Sequence, residues 1–102
     1  MSERATLVAT SNYTMALEYV NGFGWFMHFT IKKFNKTVMR ETFLAFEEFK
    51  SALARKGIKE LFGEVMDGDE KHTKFVLMYG GEPFVDNYIE GTKKSTIYRW
   101  EL

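Results

Sequence analysis

The chain of 102 residues contains no cysteine and a single proline, Pro83. The first absence excludes a disulfide framework and any thiolate-held metal site, and it fits a reducing compartment. A surplus of one charge is missing too: fourteen basic and fourteen acidic residues cancel. No broad positive field is therefore available to hold nucleic acid or an anionic membrane. No apolar run approaches the roughly 18 residues that a membrane-spanning helix needs, and the opening MSERATLVAT has none of the layout of a secretory signal. Repeats, low-complexity tracts and linkers are also absent. These absences predict a single domain over residues 1–102, working in the cytoplasm, with no metal, membrane or nucleic acid among its partners.

Aromatic residues, by contrast, are plentiful: ten Phe, five Tyr and two Trp make up 17% of the chain. That exceeds what a minimal core of this length needs, so some of these rings are expected at an interface.

Ala5 to Thr10 is short and β-branched enough for a strand. Tyr13 to Val20 reads either as a helix capped by Ser11 or Asn12 or as a strand. The strand is preferred, because Asn21-Gly22 follows at once and predicts a type I′ hairpin turn. Phe23 to Phe34 is then the return strand. Trp25, Met27, Phe29 and Ile31 lie on one side of it, with Phe26, His28, Thr30 and Lys32 on the other. Aromatics on both sides predict a central position.

Asn35 or Thr37 caps the first helix. Phe43, Phe46, Phe49 and Leu53 recur at helical spacing as one apolar stripe, and Gly57 suits the left-handed position just past the C-terminus. Ile58 to Met66 follows as a strand. A strand, a helix and another strand ask for a crossover and a parallel pair. Asp69 caps a second helix over Glu70 to Tyr79, which Gly80-Gly81 stops. Glu82 to Glu90 and Lys93 to Leu102 are two final strands, with Pro83 at a strand start where no ladder donor is lost. The predicted order is β-β-β-α-β-α-β-β, an α/β arrangement on a mixed sheet with two main helices.

From about Phe23 to Leu102 the chain resembles the C-terminal two-thirds of the GNAT acetyltransferase superfamily. FGWFMHFTIKKF matches the central strand, RETFLAFEEFKSALARKGIKELFGEVM the cofactor-side helix and next strand, and DEKHTKFVLMYGG the second helix. YGGEPF, DNYIEG and STIYRWEL fill the places of the closing glycine and terminal hairpin. The resemblance implies a GNAT-like fold and, in an active member, acetyl-CoA as cofactor. Its pyrophosphate would sit in a loop of the form Arg/Gln-x-x-Gly-x-Gly/Ala, where glycines let backbone amides approach the phosphates. Here that segment is Asn35 to Thr42 and holds no glycine, leaving Lys36, Thr37 and Arg40 as the candidate cofactor-binding residues. The family's proton-donating tyrosine falls at Val76 or Leu77, neither of which donates a proton. Room for the family's N-terminal strand and helix pair is also lacking.

No catalytic residue is assigned from the sequence. His28 and His72 are isolated and read as packing or solvated groups; Glu18 or Glu64 would be the general base of an active enzyme. Lys32, Lys33, Lys36 and Arg40 form a basic stretch interleaved with acidic residues, an ordinary charged surface. Tyr88, Tyr98 and Trp100 in the terminal hairpin are the candidates for a protein interface. The expected function is a non-catalytic GNAT-like protein that binds another protein or itself. It is similar to small phage GNAT-like virion and head-assembly proteins, or to host-directed inhibitors. An acetyl-CoA-dependent N-acyltransferase with a degenerate loop and a nucleic-acid-binding accessory are the alternatives.

Overall fold

A computed structural model of the chain describes residues 4–102. Along it run β1 (Arg4–Ala9), β2 (Tyr13–Val20), β3 (Gly24–Ile31), α1 (Lys36–Arg55), β4 (Glu60–Met66), α2 (Glu70–Met78), β5 (Glu82–Glu90) and β6 (Lys93–Glu101). This is the expected order, and Tyr13–Val20 is a strand. The strands form one six-stranded sheet in the order β1-β2-β3-β4-β6-β5. β3 and β4 are parallel neighbours, and every other pair is antiparallel.

That parallel junction divides the sheet. β2 and β3 pair continuously from Tyr13↔Ile31 to Val20↔Gly24, and β4 and β6 from Glu60↔Glu101 to Met66↔Ser95. β3 and β4 share only Phe26↔Phe62. The two halves meet at that pair and separate beyond it.

Strand alternation sends the apolar residues to two unequal clusters. Met15, Leu17, Met27, Leu61, Val65 and Trp100 face the helices, packing on Val38 and Phe46 of α1 and on Phe75, Val76 and Tyr79 of α2. On the reverse face Phe26, Phe62 and Ile97 form a smaller cluster with Val20, Phe23, Val85 and Tyr88. No helical residue belongs to it, so both helices cover the same side.

Both helices are capped as their sequences ask. Asn35 accepts the Val38 N–H at 2.9 Å, and Asp69 accepts the His72 N–H at 3.0 Å. Gly57 closes α1 at φ 90°, with the Ile58 N–H bonded back to the Leu53 carbonyl at 3.1 Å. This capping turn takes up Ile58, so β4 begins at Glu60 rather than at Ile58. Phe43, expected in the buried stripe of α1, is 37% exposed at its edge and packs against Tyr79 with ring centres 5.2 Å apart.

The first hairpin departs from expectation. A type I′ turn needs two residues of positive φ, but Gly22 is at φ 82° while Asn21 is not in the left-handed region. The Phe23 N–H bonds to the Val20 carbonyl at 3.0 Å, and Val20 pairs with Gly24. The loop therefore spans residues 21–23. Phe23 is released from the ladder and folds over the reverse face, against Phe26, Phe62 and Phe84.

Candidate functional site

Two places were open to chemistry: the start of α1 and the sheet face without helices. At the first, Lys36, Thr37 and Arg40 are all exposed, and among the described residues none of them hydrogen-bonds or ion-pairs with another. The Asn35 side chain occupies the Val38 amide, and its carbonyl takes the Met39 N–H at 2.9 Å. Beside the point where β3 and β4 diverge the Phe29 ring packs on the helix side, 5.1 Å from Phe46, 4.9 Å from Phe75 and 6.1 Å from Trp100 between centres. Outside it lies a shallow hollow of about 270 Å³ between Phe29, Ile31 and Phe34 on one side and Asp69, Lys71 and His72 on the other. The Lys71 ammonium stands 5.5 Å over the Phe34 ring. Burial holds the His72 pKa below its ordinary value, opposed in part by the Asp69 carboxylate.

Val76 is buried and Leu77 exposed where a proton donor was sought on α2. Tyr79 is buried, and its hydroxyl donates to the Met39 carbonyl of α1. Desolvation pushes its pKa up to about 12. It acts as a strut between the helices, with its proton held in the core.

The reverse face is different. A cavity of about 360 Å³ opens over Phe26 and Ile97, bounded by Phe23, Tyr88, Arg4 and Glu90. Glu18, His28 and Glu64 all line it. His28 Nε2 lies 2.7 Å from Glu18 Oε1, the imidazole donating to the carboxylate, and Arg4 Nη2 is 3.7 Å from the same oxygen. Glu64 accepts the Ser95 hydroxyl at 2.8 Å. A carboxylate-held imidazole can carry a proton or help hold a cation. The sequence singled out Glu18, His28, Glu64 and Tyr88 by separate arguments, and strand parity is what unites them. Arg4, Phe23 and Glu90 were missed. Counting alternation across the strands would have placed Glu90 with Tyr88, whereas Phe23 depends on the turn.

Of the three interface candidates, only Tyr88 borders this cavity. Tyr98 and Trp100 are corrected: they are 7% and 2% exposed, beneath the helices. The Trp100 indole N–H donates to the Tyr79 carbonyl at 3.1 Å. β6 is an inner strand between β4 and β5, so its alternating aromatics pack within the chain.

No protein-family model matches the chain, and no curated protein matches it. Its fold does have a counterpart among solved structures. The ribosomal-protein-S5-alanine acetyltransferase from Vibrio fischeri superposes with a TM-score of 0.66 at 9% identity, covering 88% of this chain and 54% of that one. The mixed sheet with two helices is thus a GNAT-like fold, and the chain spans about half of that neighbour's length. Among the described residues no helix is long and apolar enough to cross a membrane.

Proposed function

We propose that this protein keeps a GNAT-like fold without transferase chemistry and acts by binding another protein. The observation that carries the reading is the first turn of α1. It has no glycine, the Asn35 side chain takes its Val38 amide, and Lys36, Thr37 and Arg40 are exposed to solvent. A pyrophosphate is held by several free, closely approachable amides, and the side chains and the occupied Val38 amide work against that approach. The Phe29 ring adds to the argument by packing on Phe46 and Phe75 beside the β3–β4 junction. A small scaffold with one helix-free sheet face suits incorporation into an assembly such as a phage head or virion, or occlusion of a host protein in the cytoplasm. Calorimetric titration with acetyl-CoA tests the reading. Binding weaker than millimolar is the expected result, and micromolar affinity would overturn it.

A second reading has one observation in its favour. Glu18, His28 and Glu64 share a cavity beside the Phe26↔Phe62 junction, where an N-acyltransferase would want a general base. Its signature is thiol release from acetyl-CoA that disappears in Glu64→Gln or His28→Gln.

A further inference from the structure

We infer that the helix-free face of the sheet docks a cationic, amphipathic segment of a partner protein, and that the partner is not a second copy of this chain. The inference rests on the protein-binding reading above and specifies its partner.

The face has an apolar wall whose rim is open to solvent: Phe26 and Phe62 are buried, Phe23 is half-buried and Phe84 is exposed. Phe23 leans on Phe26 and Phe62, with ring centres 5.1 and 4.7 Å away, and Phe84 stands 5.5 Å from Phe62. Phe84 remains 49% exposed. On the other face, comparable rings of the sheet lie under α1 and α2. On this face, among the described residues, no helix lies over the rings; Phe23 and Phe84 cover Phe62, and their own outer edges remain for a partner to meet.

Charge selects what would complete it. Across the cavity from the Phe23 wall stand Glu64 and Glu90, with Glu18 at the far end. Arg4 and His28 attend to Glu18. Among the described residues no basic group lies within 4.0 Å of Glu64 or Glu90, and Glu64 is bonded to the Ser95 hydroxyl instead. Lys93, which borders the same end of the sheet, is not within that distance of either carboxylate. A neutral segment laid over the cavity would desolvate both carboxylates without pairing them, at a cost. A second copy packed about a two-fold axis passing through Glu64 and Glu90 would set these carboxylates against their own counterparts. A lysine or arginine resolves both problems. Its aliphatic stem lies along Phe26 and Tyr88 while its charged end meets Glu64 and Glu90. Apolar residues one turn away on the same segment cover Phe23 and the part of Phe84 that the Arg99 guanidinium, 4.8 Å over its ring, leaves open.

The test uses the full chain, followed by amide NMR. It is titrated with a short synthetic amphipathic helix of leucine and lysine, and separately with the leucine–glutamate counterpart. The lysine probe should perturb the amides of Phe26, Glu64, Tyr88 and Glu90 and bind less tightly as salt is raised. In the double variant Glu64→Gln, Glu90→Gln, affinity should fall about tenfold, as expected for two partly exposed ion pairs. The Glu64→Gln change retains an acceptor for the Ser95 hydroxyl, so the strand pairing survives. Equal binding of the glutamate probe, perturbations confined to α1 and α2, or undiminished affinity in the double variant would each overturn the inference. So would a dimer by native mass whose interface maps to this face. Acetyl-CoA titrated into the same sample separates the two levels of argument. Micromolar binding there defeats the protein-binding reading itself, whereas failure of the lysine probe alone defeats only this assignment of the surface.

Discussion

Gly63 stands where the packing leaves no room for a side chain. It lies in β4 on the helix side of the sheet, immediately before Glu64. A Cβ built there would come 2.9 Å from Trp100 Cζ3 and 3.0 Å from Cη2. Trp100 cannot move aside freely, since its indole N–H bonds the Tyr79 carbonyl and its ring packs edge-on to Phe46 with centres 5.1 Å apart. Gly63→Ala is therefore an overpacking substitution costing about 2 kcal/mol, which for a domain near this size lowers Tm by roughly 10 °C. Trp100→Phe removes the atoms that clash, but it leaves a void and strands a buried carbonyl, costing about 2 kcal/mol by itself. The pair is diagnostic. If the clash is the cause, the double variant should lose about 1 kcal/mol less than the sum of the two singles. Urea unfolding of all four proteins measures the cycle. A neutral Gly63→Ala, or strict additivity, would refute the packing argument.

Other outcomes follow from single groups. Asn35→Ala removes the cap of α1 and should cost about 1 kcal/mol in urea unfolding, without creating affinity for acetyl-CoA. Tyr79 holds its proton more tightly in the fold than at the ordinary value of 10.0, up to about 12. Its contribution is complete below pH 10 and declines as pH rises through about 12, and Tyr79→Phe should flatten that alkaline limb of the unfolding profile. His72 is depressed below 6.5 by burial, so its contribution is present above that pH and lost as pH falls below it. His72→Gln should reduce the acid slope, whereas an unchanged slope would place the proton uptake elsewhere.

Much of the fold was legible because local signals agreed with one another. Asn35, Gly57, Asp69 and Gly80-Gly81 bracket the helices as their chemistry requires, and the alternation in FGWFMHFTI marks a strand buried on both sides. What misled was tertiary. The Asn-Gly pair reads as a two-residue turn, but the structure adds Phe23 to the loop because that ring gains contacts with Phe26, Phe62 and Phe84. Tyr98 and Trp100 suggest a surface while β6 is taken for a terminal edge strand. Strand order, which places β6 inside β5, is not written in local periodicity. The reverse-face cavity was legible only in pieces. Glu18, His28 and Glu64 fall on strands β2, β3 and β4, and their meeting depends on registers such as Glu18↔Phe26 and Phe26↔Phe62.

The divergence of β3 and β4 ties these observations together. Two parallel strands that share one paired position leave a wedge, and the wedge must hold a ligand, water or a side chain. On the helix side of it Phe29 packs against Phe46 of α1, Phe75 of α2 and Trp100 of β6 from one position. That side of the junction is thus lined by the chain's own rings, and Tyr79 bridges the two helices above it through Met39. On the reverse side the same junction is floored by Phe26 and Phe62, which Phe23 and Phe84 cover, and among the described residues no basic group lies within 4.0 Å of Glu64 or Glu90 there. No helix of the described residues lies over this side, and Phe84 stays 49% exposed. On the docking inference drawn above, a partner with basic and apolar groups would meet both features at once.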